Sequence, residues 1–151
     1  MIEENEKFLA EIKRHEGFRN AVYRCPTGHK SIGYGHNLEA APIKGIGDKT
    51  VISTEEGERI LRDDVKRFGA QLDERIPWWR DLDEARQAVL LNMAYNMGVS
   101  TLCKFTATLG YARAGRYDFA AASMQNSLWA KQVGGRAKEL IERMETGEWK
   151  N

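Results

Sequence analysis

The sequence has few of the features that mark specialised classes of protein. It contains only two cysteines in 151 residues, Cys25 and Cys103, which excludes a disulfide framework. No apolar run is longer than a few residues, so we expect no membrane-spanning segment. Lysine plus arginine total 23 and aspartate plus glutamate 22, so the chain lacks the strong basic field that would indicate a nucleic-acid partner. Its first residues have no signal-peptide core, and we expect the protein to accumulate in the cytoplasm.

The remaining composition is that of a globular domain. Apolar residues make up 42% of the chain and charged residues 30%, and this balance argues against disorder. A chain of 151 residues can bury a core without covalent or metal cross-links.

Apolar periodicity predicts a small α+β part at the start of the chain. A helix is predicted over residues 3–16. Two short strands are predicted at 21–24 and 31–35, on either side of a proline–glycine turn. Ser53 and Glu56 form a capping box that begins a long helix, and this helix ends at the latest at the following proline.

The rest of the chain is predicted to be helical. Asp81 and Glu84 fit a cap pattern, and the residues that follow are apolar around most of the helix circumference, which predicts a buried central helix. Gly98 is expected to end that helix. Shorter helices are predicted over 101–114, 117–130 and 135–146.

These elements predict one mostly helical α+β domain over residues 1–151. We expect a small lobe at about 15–55, a connecting helix at about 54–76, and a helical lobe at about 80–151 that includes the N-terminal helix. A cleft between the lobes is the expected place for a ligand.

Glu16 is the first candidate for chemistry. It lies four residues after Ile12, at the end of the apolar face of the first helix. A carboxyl group against apolar surface resists ionisation, which suits a general acid. Cys25 and Ser31 lie at facing ends of the two predicted strands, and His36 follows a glycine-flanked turn. Small polar groups beside a helix-terminal carboxyl group form a compact candidate site.

These residues resemble the phage-type lysozymes, glycoside hydrolase family 24. The family motif is Glu, eight residues, Asp or Cys, five residues, and Thr or Ser, and Glu16, Cys25 and Ser31 stand at that spacing. The runs 14–19, 31–36 and 92–98 also match in order, so the resemblance covers nearly the whole chain. It implies a lysozyme-like, two-lobed fold with a small hairpin lobe.

The resemblance also implies an activity. The chain would hydrolyse the β-1,4 bond between N-acetylmuramic acid and N-acetylglucosamine in bacterial peptidoglycan, without a cofactor or a metal. Glu16 would be the general acid, while Cys25 and Ser31 would place or activate a water on the far side of the sugar, as in an inverting hydrolase. The protein would act as a monomeric endolysin that needs a separate holin to reach the wall from the host cytoplasm.

Further roles are carried over by position. His36 would pair with Asp64 as structural support, and the carboxylate would favour the charged imidazole. Arg136 would brace Glu16. The family's sugar-contact positions are occupied by residues that differ from those of the prototype: Asn37, Tyr95, Thr108 and Ser123.

The role of Cys25 stays open, because the prototype has an aspartate there. A neutral thiol is a weak base, so the sulfur could orient the water, act as a thiolate, or be a spectator. A thiolate would need a nearby positive charge, for which Arg24 and Lys30 are the local candidates in the sequence.

Three alternatives compete with a hydrolase of this kind. The cysteine and histidines at 25, 29 and 36 match no standard zinc spacing, and no signature of a thiol hydrolase surrounds Cys25. The main alternative is a catalytically lapsed lysozyme fold that binds peptidoglycan or serves a phage particle. The residues at Cys25 and Ser31 favour that alternative, whereas the intact Glu16 argues against it.

Overall fold

The computed structural model describes residues 1–150 and is α+β and mostly helical, as predicted. Within these residues there are eight α-helices and one antiparallel sheet of three strands in the order β1-β2-β3. None of the helices in this range combines the length and apolarity needed to cross a membrane. The strands are β1 (Arg19–Arg24), β2 (Lys30–Gly33) and β3 (His36–Asn37). The helices are α1 (Glu6–Glu16), α2 (Thr54–Arg75), α3 (Glu84–Met97), α4 (Val99–Leu102), α5 (Thr106–Arg113), α6 (Tyr117–Gln125), α7 (Leu128–Val133) and α8 (Gly135–Thr146).

The chain forms two compact units. The first contains Met1 and Glu3–Lys66, and so includes α1, the sheet and the first part of α2. The second contains Ile2 and the chain from Arg67 onward. Helix α1 lies in the same unit as the sheet, and its predicted grouping with the helical lobe stays a prediction. The single-domain organisation stays a prediction.

Helix α1 begins later than predicted because Asn5 caps it. The Asn5 side chain accepts a hydrogen bond from the backbone N–H of Phe8, which satisfies one of the free donors of the first turn. A short 3₁₀ turn at Ile2–Glu4 precedes this cap. Gly17, with φ +69°, ends the helix directly after Glu16, so the catalytic candidate is its last residue.

A tight turn joins β1 to β2. Gly28 N–H donates to the Cys25 carbonyl at 2.8 Å, and Cys25 N–H donates to the His29 carbonyl at 2.9 Å. Pro26 follows Cys25, and Gly28 has a φ of +87°, the arrangement of a three-residue hairpin loop with a left-handed glycine. The turn sets the register in which Tyr23 pairs with Ser31.

The sheet has a third strand that the sequence pattern missed. Strand β2 ends at Gly33 rather than at residue 35, and His36–Asn37 then returns antiparallel to it. Gly33 and Gly35 both have positive φ, +67° and +74°, which lets the chain reverse within a few residues.

A buried ion pair fixes the sheet to α2. His36 Nδ1 lies 2.7 Å from Asp64 Oδ2, and both side chains are about 4% exposed. His36 Nε2 lies 2.7 Å from the Ala41 carbonyl oxygen. Both partners are acceptors, so only the doubly protonated imidazole can donate to each of them. The geometry therefore favours the charged pair that the family resemblance implies.

In the second unit, α3 is the buried central helix. Ala85, Ala88 and every residue from Val89 to Tyr95 are buried, and Gly98 ends the helix as predicted. Its N-cap is Asp83, which accepts from Arg86 N–H, and not the predicted Asp81.

The predicted helices at 101–114 and 117–130 are each divided in two. The first break follows Leu102, where the backbone N–H groups of Lys104 and Phe105 bond to carbonyls three residues earlier and so tighten the turn. The second break lies at Ser127, whose hydroxyl caps α7 by accepting from Ala130 N–H. Helix α6 packs against α5 and α8.

We predict that Asp64→Asn lowers the free energy of unfolding by about 3 kcal/mol, because it leaves a buried charged imidazole without its carboxylate. Urea denaturation measures the change. Asp63→Asn, at the exposed neighbouring position, is the matched control and should shift stability by less than about 0.5 kcal/mol. Equal stability of the two variants would show that the pair does not hold the sheet.

Candidate active site

The carboxyl group of Glu16 lies against the turn between β2 and β3. A Cβ atom placed on Gly35 would be 3.1 Å from the Glu16 carboxyl carbon and closer still to Oε1. A larger residue here would force the Glu16 carboxyl group to move, and the φ of +74° is one that glycine adopts without strain. The glycine-flanked turn thus accommodates Glu16 beside the sheet.

One face of the sheet carries the other site candidates. Tyr23 pairs with Ser31 and Ser31 pairs with Asn37, and residues directly opposite each other in an antiparallel sheet point to the same side. Cys25 follows Tyr23 by two residues and so shares its side of the hairpin. The opposite face carries Ile32 and the buried His36.

The pKa of Tyr23 depends on several of its charged neighbours. Burial raises the pKa of its phenol, and the negative charges of Glu16 and of an ionised Cys25 raise it further, while Arg19 opposes them. The Arg19 guanidinium lies 4.6 Å from the centre of the Tyr23 ring, in a cation–π contact. Glu16, Tyr23 and Cys25 therefore share one electrostatic environment within the first unit.

The pKa of the Cys25 thiol is lowered from its ordinary value. Partial burial acts to raise this pKa, but hydrogen bonds to the sulfur outweigh it. They come from the Thr27 hydroxyl, from the backbones of His29 and Thr27, and from the Ser31 side chain. Hydrogen bonds to a thiolate stabilise the charged form, so the sulfur ionises at lower pH than an ordinary cysteine.

The two cations proposed from the sequence are engaged elsewhere. Arg24 Nη1 donates to the Gly28 carbonyl at 2.7 Å, and Lys30 Nζ lies 3.0 Å from Asp48. The pKa of Cys25 is therefore lowered by hydroxyl and amide donors, which the sequence analysis did not consider. Thr27 was missed because its position between Pro26 and Gly28 indicates only a turn. Its hydroxyl group is the feature of the sequence that could have indicated a contact with the sulfur.

Ser31 and Asn37 have specific partners. Ser31 is 2% exposed, and its hydroxyl donates to the His29 carbonyl at 3.2 Å. The Asn37 side-chain oxygen accepts from the backbone N–H groups of Glu39 and Ala40, at 2.9 and 3.0 Å. Asn37 therefore shapes the turn after β3, and its amide nitrogen is the part left for other contacts.

The second unit has a cavity that contains two of the predicted sugar contacts. Thr108 Oγ1 and Ser123 Oγ lie 2.6 Å apart, and Ser123 also donates to the Ala120 carbonyl at 2.7 Å. Both line a cavity of about 530 Å³. Phe105 and Trp129 line the same cavity, and their rings meet edge to face with centres 6.2 Å apart. The sequence analysis had not identified this aromatic wall.

The remaining two candidates also lie in the second unit. Tyr95 is 9% exposed, and its ring packs on Phe68 with centres 5.6 Å apart. Arg136 Nε donates to the side-chain oxygen of the buried Asn92 at 2.9 Å. Their predicted roles, at a sugar ring and beside Glu16, stay predictions.

Residues 1–150 contain no group of three His, Cys, Asp or Glu side chains placed as metal ligands would be. His29, one of the residues weighed as a zinc ligand, has its Nδ1 atom 3.8 Å from Glu39.

Comparison with known proteins identifies relatives of the chain. Residues 13–146 match the model of the phage lysozyme family. The chain is 31% identical to an endolysin of Acyrthosiphon pisum secondary endosymbiont phage 1, over 90% of this chain and 86% of that protein. It is 33% identical to an endolysin of Bacillus phage B103, over 93% of this chain and 53% of that protein.

A third relative is larger. The chain is 28% identical to the pre-baseplate central spike protein Gp5 of Enterobacteria phage T4, over 90% of this chain. The match spans 27% of the spike protein, so the chain corresponds to only part of the length of that relative and of the B103 endolysin.

We predict that Gly35→Ala is more destabilising than Gly45→Ala. Both glycines have positive φ, +74° and +89°, so both variants lose about 1 kcal/mol to backbone strain. Only the Cβ at residue 35 meets Glu16, and forcing that side chain into another conformation should cost about 0.5 kcal/mol more. Equal urea midpoints for the two variants would contradict the close approach of the Glu16 carboxyl group.

Proposed function

The chain belongs to the phage lysozyme family, and we propose that it is a muramidase that hydrolyses bacterial peptidoglycan. The bond cleaved is the β-1,4 link between N-acetylmuramic acid and N-acetylglucosamine. The observation that carries the proposal is the Glu16 carboxyl group packed against Gly35, beside a hairpin on which Cys25 and Ser31 stand at the family spacing. The family membership gives the reaction class, and these residues give it a mechanism.

In this mechanism Glu16 is the general acid. Its carboxyl group donates a proton to the glycosidic oxygen as the bond from that oxygen to the anomeric carbon of muramic acid breaks. The leaving N-acetylglucosamine unit departs as a neutral alcohol. Gly35 keeps the carboxyl group in one position, which is the pre-organisation that proton transfer requires.

Cys25 and Ser31 act on the attacking water. The lowered pKa gives Cys25 a larger thiolate fraction than an ordinary cysteine has, and this thiolate accepts the proton that the water loses as it attacks the anomeric carbon. Ser31 holds the water by hydrogen bonding. Direct attack by water on the face opposite the leaving group inverts the configuration of that carbon.

Substrate-binding and supporting residues extend this proposal. The cavity lined by Thr108 and Ser123 would bind part of the wall polymer, and the amide nitrogen of Asn37 would bind a sugar. Tyr95 would form part of the sugar site from its position on α3. Arg136, anchored on Asn92, would be the supporting arginine that the family resemblance implies.

The biological role follows from the same activity. Two relatives carry the name endolysin, and we infer that this protein degrades the wall of the host so that phage progeny are released. It would act as a monomer on peptidoglycan after a holin has permeabilised the membrane.

A second candidate is a phage structural module that binds the wall without cleaving it. The similarity to a central spike protein favours it. The wall-clearing assay separates the two functions, because a binding module sediments with peptidoglycan but does not clear a suspension of it.

We predict that Glu16→Gln reduces the clearing of a purified peptidoglycan suspension by at least about 100-fold, because the amide cannot protonate the leaving oxygen. New reducing ends at muramic acid should disappear in parallel. Glu55→Gln, at an exposed position on α2, is the matched control and should clear at the wild-type rate. Absence of clearing by every form, with retained sedimentation on walls, would favour the structural module.

Substitutions at the other two positions test the water-activating pair. Cys25→Asp should retain clearing, because a carboxylate can accept the same proton, whereas Cys25→Ser should lose about 100-fold. Ser31→Ala should lose about tenfold, the effect of one hydrogen bond in the transition state. Full activity of Cys25→Ser would mean that the sulfur is a spectator.

A further inference from the structure

The hairpin tip carries a hydroxyl group that the proposed mechanism does not use. Thr27 Oγ1 lies 3.0 Å from the Cys25 sulfur, outside the motif of Glu16, Cys25 and Ser31. We propose that Thr27 is a positioning residue for glycoside hydrolysis, whose hydroxyl donates a hydrogen bond to the Cys25 sulfur and keeps it able to accept the proton of the attacking water. This inference rests on the proposed function, in which the sulfur receives that proton.

The turn holds Thr27 beside the sulfur. Cys25 and Gly28 close the turn through their backbones at 2.8 Å, and Pro26 restricts the backbone between them. Arg24 Nη1 adds a third tie by donating to the Gly28 carbonyl. The hydroxyl is carried on a short, β-branched side chain, so little rotamer freedom is lost when it meets the sulfur.

Thr27 and Ser31 differ in the hydrogen-bond acceptors that their hydroxyl groups contact. A hydroxyl has one proton to donate, and that of Ser31 has two acceptors, the His29 carbonyl at 3.2 Å and the Cys25 sulfur. Within residues 1–150 the Thr27 hydroxyl has the sulfur as its hydrogen-bond partner, so its proton is available to a thiolate. Among the interactions that lower the pKa of Cys25, that of the Thr27 hydroxyl is the largest.

The ionisable groups around the sulfur do not replace this hydrogen bond. Tyr23 interacts electrostatically with both Glu16 and Cys25. Across the turn, Arg24 is bonded to a carbonyl group, Lys30 lies beside Asp48, and the exposed imidazole of His29 lies beside Glu39. The hydrogen bond from the Thr27 hydroxyl is therefore the interaction that stabilises the Cys25 thiolate most.

Thiol chemistry tests the contact without reference to catalysis. In the full chain carrying Cys103→Ser, so that only Cys25 reacts, the rate of alkylation by iodoacetamide is followed from pH 5 to 10. Thr27→Val removes the hydroxyl and keeps the shape, and we expect about tenfold slower alkylation near pH 7, the effect of losing one hydrogen bond to an ionised group. Thr27→Ser keeps the hydroxyl and should restore the wild-type profile.

The pH dependence of wall clearing tests whether the contact between Thr27 and the sulfur affects the reaction. The rate of peptidoglycan clearing should rise with pH as the thiol ionises, and Thr27→Val should move this rise to higher pH because its thiol holds its proton longer. Thr27→Ser should not move it. In a Cys25→Asp background there is no thiol to ionise and the carboxylate is already charged at neutral pH, so Thr27→Val should not change the pH dependence of clearing at neutral and alkaline pH. A structural effect of the valine would instead lower the rate at all pH values in both backgrounds.

Two results would overturn the inference. One is wild-type alkylation of Thr27→Val, which would mean that the hydroxyl does not act on the sulfur. The other is slower alkylation with an unmoved clearing profile, which would mean that Thr27 acts on the thiol but not on the reaction. Failure of the proposed function has a different signature, since the wild type would then clear no walls or Glu16→Gln would clear them at the same rate.

Discussion

The buried pair of His36 and Asp64 is the interaction on which the first unit depends. A charged imidazole and a carboxylate, both about 4% exposed, are stable there only because each satisfies the other. The pair attaches a strand of two residues to a helix of 22, and so short a strand could not hold its place by backbone pairing alone. The turn that accommodates Glu16 immediately precedes this strand.

Because side chains alternate between the two faces of the sheet, the structural residues lie on one face and the candidate catalytic residues on the other. Ile32 and His36 point to the buried face, while Ser31 and Asn37 point to the face shared with Tyr23. A slip of one residue would exchange these two sets, moving the imidazole away from Asp64 and moving Ser31 and Asn37 away from the face of Tyr23. The proline–glycine turn after Cys25 prevents that slip, since it fixes which residues of β1 and β2 are opposite each other.

The sequence predicted the fold class and the bounds of α8, because a strong apolar period and flanking glycines mark them. It missed β3, since two residues carry no period, and it missed the divided helices, since no glycine or proline marks those breaks. The catalytic candidates followed from the spacing of a known family motif. The ionisation of Cys25 could not be predicted, because the sequence shows only which charged residues are near it along the chain. It does not show that Arg24 donates to a carbonyl group or that Thr27 contacts the sulfur.

The hydroxyl groups of Thr108 and Ser123 lie in the wall of the cavity in the second unit, and the directions of their hydrogen bonds determine what they can offer a ligand. Ser123 gives its one proton to the Ala120 carbonyl, so in the 2.6 Å contact between the hydroxyls Thr108 must be the donor. Both protons are then directed into the protein, and the pair presents lone pairs to the cavity. At this point of the cavity wall the protein can therefore accept a hydrogen bond but has no hydroxyl proton left to donate.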